Sequence, residues 1–158
     1  MRGLGLLMAV MALGACGTRH ESGTRVEVGG FSLMVPLGWV SEPGRGPGAV
    51  LLRNHATDVT QDMSVLAQPL GEAFTDDPTV DATCKTLGDK LPFPADSVGV
   101  VTLPVGKACQ IIVSKDGTVA RQLILKLGGH GAVVNCIRKQ EGTPEVCREI
   151  LGSIEVVR

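Results

Sequence analysis

Three apolar runs constrain the fold of this chain more than any other feature: Ile111-Ile112-Val113, Leu123-Ile124-Leu125 and Val133-Val134. Lys107 to Ser114 and Thr118 to Leu127 read as a hairpin joined around Asp116-Gly117, a dipeptide suited to the positive φ angles of a tight turn. Gly128-Gly129-His130-Gly131 turns the chain again, into a strand from Ala132 to Ile137. A strand with one wet face alternates apolar and polar residues, because successive side chains point to opposite faces. These strands carry consecutive apolar residues instead, which implies cover on both faces of the middle of the sheet. Two helical segments are available for that. Asp76-Asp77-Pro78 reads as the start of the first, a capping Asp followed by Pro at the first helical position. That helix runs to about Lys90, weakened late by Gly88, and stops before Pro92. Thr143-Pro144 opens the second, which ends near Ser153. The expected fold class is α+β: a mostly antiparallel sheet with two helices packed on it.

The remaining segments fit one domain, as does a length of 158 residues. Thr24 to Val28 and Phe31 to Val35 read as a hairpin over Gly29-Gly30. Pro36-Leu37-Gly38-Trp39 breaks its second strand, and Ser41 to Gly48 reads as a loop of glycine and proline. Ala49 to Arg53, Met63 to Ala67 and Ser97 to Leu103 are further strands, with Asn54 to Asp62 as a polar turn and Ile154 to Val157 as a closing strand.

Ahead of this domain, Arg2 is followed by an apolar run from Leu4 to Leu13 and then by small residues, the layout of a secretory signal. A membrane span needs roughly 20 apolar residues, and this run ends before polar Thr18, Arg19 and His20. Leu13-Gly14-Ala15-Cys16 resembles the lipobox of bacterial lipoproteins. The resemblance implies cleavage before Cys16, thioether lipidation of its sulfur and acylation (palmitate, for example) of the new amino terminus. The expected division is a signal peptide at 1–15, a lipidated tether at 16–23 and a single domain at 24–158. The implied location is the cell envelope. Gly17, where the inner-membrane retention signal of enteric bacteria has Asp, points to the outer membrane if the cell has two. Losing residues 1–15 removes Arg2 and takes the formal charge from −1 to −2.

With Cys16 assigned to lipid, Cys84, Cys109, Cys136 and Cys147 remain. An even number in an exported chain suggests two disulfides. No C-x-x-C pair exists, which argues against structural zinc and against a thioredoxin-like redox motif. Cys147 shares a helical stripe with Leu151 and Ile154, and Cys136 shares a strand face with Ala132 and Val134. Cys84 lies on one helix face with Val80, Leu87 and Leu91, and Cys109 shares a strand face with Ile111 and Val113. These faces favour Cys84 with Cys109 and Cys136 with Cys147.

Phe31-Ser32-Leu33-Met34-Val35-Pro36-Leu37-Gly38-Trp39 resembles the opening motif of PsbP-like and DcrB-like domains, and Ile150-Leu151-Gly152-Ser153-Ile154 is similar to their terminal helix. The resemblance implies their fold, an α/β/α sandwich with an N-terminal hairpin. It implies no single activity, because its members include photosystem accessory subunits, secretion-associated chaperones and bacterial lipoproteins.

The near-neutral charge, the absence of a Lys/Arg cluster and the scarcity of aromatics argue against nucleic-acid binding. No G-x-S-x-G, H-E-x-x-H, P-loop or G-x-G-x-x-G motif occurs. Gly44-Arg45-Gly46-Pro47-Gly48 lacks the Lys-Ser/Thr of a phosphate loop. His20 falls in the tether, His55 in a polar loop and His130 in the glycine-rich turn, where it reads as solvent-exposed, costing under ~0.5 kcal/mol to replace. A catalytic group of His130 with Asp116 or a serine is the sharper alternative. Asp76, Asp77 and Asp81 could hold a cation, although the helix dipole accounts for them more simply. Trp39 could anchor a ligand, but as part of a strand-ending motif it reads as core. The sequence therefore leads to a non-enzymatic envelope lipoprotein with no cofactor or metal, membrane-held through Cys16 and binding or supporting a protein partner. A small-molecule or lipid binder using a cleft between sheet and helix is second, and a hydrolase with His130 or His55 beside a nucleophile is third.

Overall fold

The computed structural model of the chain describes residues 23–54, 63–70, 79–91, 94–139 and 145–158. A hairpin of β1 (Arg25–Val28) and β2 (Phe31–Met34) comes first, followed by β3 (Trp39–Pro43), β4 (Val50–Asn54) and β5 (Met63–Pro69). Helix α1 (Val80–Lys90) precedes a meander of β6 (Ser97–Leu103), β7 (Gly106–Lys115), β8 (Thr118–Leu127) and β9 (His130–Lys139). Helix α2 (Glu145–Gly152) and the short β10 (Glu155–Val156) close the chain. The large sheet has the order β3-β4-β5-β9-β8-β7-β6, with every neighbouring pair antiparallel. The N-terminal hairpin joins β10 in a separate sheet of order β1-β2-β10.

The consecutive apolar residues divide between two cores, as the absence of alternation requires. Ala108, Leu123, Leu125, Ala132, Val134 and Cys136 turn to one face of the large sheet. There they meet the small sheet (Val26, Phe31, Leu33) and α2 (Cys147, Ile150, Leu151). Cys109, Ile111, Ile124 and Val133 turn to the other face, against Val80 and Cys84 of α1. On that second face the polar pair of β8 and β9, Gln122 Nε2 donating to Asn135 Oδ1 at 2.9 Å, marks a change of character. The fold is thus α+β, with two helices packed on a mostly antiparallel sheet, one on each face.

Two local expectations change. The segment expected to be a break and then a loop contains β3, an edge strand. Ser41 lies opposite Leu52 and is buried, and Arg53 pairs with Glu42 at 2.6 Å. Proline is tolerated at the end of an edge strand, so Pro43 stops β3 without preventing it. Glycine-rich composition describes only the loop that follows, where Gly44 N donates to Ala49 O at 2.8 Å. The cap of α1 also differs. Thr79 is the N-cap, its hydroxyl accepting from Ala82 N at 3.1 Å, whereas Asp77 and Pro78 lie outside the described residues.

Candidate functional site

Where α1 begins, its first turn, the β6–β7 turn and the end of β8 border a cleft of about 290 Å3. Phe31, Val105, Leu125 and Leu127 supply apolar lining, and Thr79, Asp81 and Lys107 are among its polar residues. Lys107 Nζ and an Asp81 carboxylate oxygen lie 3.3 Å apart, both well exposed, so the pair adds little to stability. The volume is near the lower end for small-molecule sites. Its chemistry suits an apolar chain with a small polar group.

Beside this cleft runs β6, an outermost strand of the large sheet. Its seven residues carry no charge, and Val100 is 39% exposed. Edge strands are normally blunted by charge, proline or cover, because unpaired backbone groups template pairing with another chain. The opposite edge, β3, has Pro43 and the Glu42–Arg53 ion pair. Within β6 there is neither charge nor proline, and among the described residues no strand pairs with its outer edge.

The cysteine pairs fall where the helix and strand faces place them. Cys84 and Cys109 have Cα atoms 5.2 Å apart, and Cys136 and Cys147 6.2 Å apart, both within disulfide reach. The first pair joins α1 to β7 on one face, and the second joins β9 to α2 on the other. Cys16, His20, His55, Asp76 and Asp77 lie outside the described residues. Trp39 is buried in the larger core.

His130 departs from its expected setting. The turn is Gly128-Gly129 alone, and His130 is the first residue of β9, opposite Leu127. Its ring is exposed yet sits edge-on to Phe31, with centroids 6.3 Å apart. It also occupies the space where a Cβ on Gly30 would stand, and Gly131 N donates to Gly29 O at 3.0 Å. Glycines at 29 and 30 let the small sheet's turn meet the large sheet this closely. His130 and Asp116 stand at opposite ends of β8, roughly 30 Å apart at strand rise, so they form no catalytic pair. An edge-to-face ring contact contributes about 0.5–1.5 kcal/mol. His130→Ala is therefore expected to lower stability by roughly that amount in urea denaturation, more than a solvated turn residue would.

Sequence reasoning offered a cleft between sheet and helix without its lining residues, and it missed the open edge. The uncharged run Ser97 to Leu103 was the available signal for the edge. Nothing local marks the cleft, whose apolar lining comes from β2, β8 and the β6–β7 turn.

No protein-family model matches the chain. No curated protein matches it either. Among solved structures it is similar to a Bacteroides thetaiotaomicron VPI-5482 protein with a crystal structure at 1.50 Å resolution, at a TM-score of 0.55 and 15% identity. That match covers 90% of this chain and 49% of the other, so the chain spans about half its length, and the likeness is one of fold. It is also similar to cyanobacterial PsbP (CyanoP) from Synechocystis sp. PCC 6803, at a TM-score of 0.49 and 15% identity over 96% of this chain and 99% of that one. A likeness that loose decides nothing about function.

Proposed function

We propose that this chain is an exported lipoprotein, held at a membrane through lipid on Cys16, whose domain binds a protein partner in the cell envelope and catalyses no reaction. The observation that carries the partner-binding reading is β6, an uncharged seven-residue edge strand with Val100 exposed. An extended peptide can add to such an edge, taking affinity from main-chain hydrogen bonds and specificity from alternate side chains. Export is supported by two cysteine pairs at disulfide distance, since disulfides persist in oxidising compartments. Kinship with PsbP-like and DcrB-like domains rests on the Phe31-to-Trp39 and Ile150-to-Ile154 motifs. Their residues Phe31, Leu33, Val35, Trp39, Ile150, Leu151 and Ile154 all lie in the larger core, so that kinship transfers a fold and no binding residue.

The cleft at α1 favours a second reading, a small apolar or lipid ligand bound among Phe31, Leu125 and Leu127. One experiment separates the two. Photo-crosslinking in intact envelopes should yield a partner adduct that Val100→Lys weakens roughly tenfold or more, since a desolvated lysine costs at least ~1.4 kcal/mol. Leu127→Lys, at the cleft, should leave the adduct unchanged. The opposite pattern would favour the ligand reading.

A further inference from the structure

We infer that the turn Pro36-Leu37-Gly38-Trp39 is a second membrane contact, a single apolar tip that dips into the lipid surface beside the tether. The inference rests on the reading that Cys16 carries lipid. Leu37 is 91% exposed, far beyond the other exposed large apolar residues among those described. The turn holds it there. Trp39 N donates to Pro36 O at 3.0 Å, and Gly38 has φ +76°, the left-handed conformation that the third position of a type II turn requires. Trp39 and Val35 on either side are buried in the main core, so the tip cannot fold back without losing them.

The partner follows from where the chain leaves the domain. Gly23 N donates to Val35 O at 2.9 Å, which sets the end of the tether two residues along from Leu37. Seven residues, 17–23, separate Cys16 from that point, a reach of at most about 25 Å. A lipid on Cys16 therefore keeps this end of the domain close to the bilayer. Met34 is 38% exposed at the same end. Met34 to Val40 carries no charge, so shallow insertion desolvates no ion. A lone leucine binds a membrane weakly by itself; beside an anchor it sets the domain's orientation.

The test uses full-length lipidated protein, purified from membranes and reconstituted in phosphatidylcholine vesicles with brominated acyl chains. Leu37→Trp adds an emitter at the tip, and Leu127→Trp adds one at the other end of the large sheet, with buried Trp39 as a common background. Vesicle flotation reads anchoring separately. The expected result is that both variants float, while bromine quenches the added emission of Leu37→Trp and spares that of Leu127→Trp. Floating protein with neither or both quenched overturns the tip and leaves the anchor intact. Protein that does not float overturns the anchor, and the tip falls with it.

Discussion

Replacing Cys84 and Cys109 together with alanine is expected to lower the stability of the domain by about 3.5 kcal/mol, and replacing Cys136 and Cys147 by about 3 kcal/mol. The magnitudes come from loop entropy at sequence separations of 25 and 11 residues. The structure adds a reason for them to be felt fully. The helices have 11 and 8 residues, lengths that are marginal in isolation, so each depends on its attachment to the sheet. Each cysteine pair makes that attachment on a different face, from β7 and from β9, which are two strands apart with β8 between. At roughly 10 Å of separation, losses at the two sites should nearly add. Their sum rivals the ~5–15 kcal/mol stability of a typical domain, so the reduced protein should unfold at markedly lower urea than the oxidised one. Non-reducing peptide mapping should recover the two pairs as placed. A crossed pair, Cys84 with Cys136 for example, would contradict the faces to which the two helices are assigned.

What was legible in the sequence followed from local periodicity. Ser97 to Leu103 and Thr118 to Leu127 are strands with the expected bounds, because turn residues punctuate them on both sides. The run Leu123-Ile124-Leu125 announced two-sided cover, and its residues do go alternately to the two cores. The cysteine faces were legible for the same reason, since helical and strand periods fix which side each sulfur leaves from. Features set by distant partners were not legible. β3 exists because β4 pairs with it, whatever its proline suggests. Gly131 reads as a turn residue, yet it lies in β9, where a Cβ would strike the Leu70 side chain. His130 owes its setting to Phe31, ninety-nine positions away in the chain. The cleft and the open edge of β6 likewise depend on which strands become neighbours.

The central claim is the lipid on Cys16, and its effect should be close to all-or-none. A single acyl chain gives marginal, reversible binding, whereas several at one residue give durable anchoring. Among the described residues, no helix is long and apolar enough to cross a membrane. On this account, loss of the lipid removes the durable attachment. The direct measurement is metabolic labelling with an alkyne fatty acid, followed by membrane fractionation of wild type and Cys16→Ser. The account predicts a labelled, membrane-bound wild type, and an unlabelled variant that is released to the soluble fraction or left unprocessed. A wild type that is unlabelled and freely soluble would contradict it.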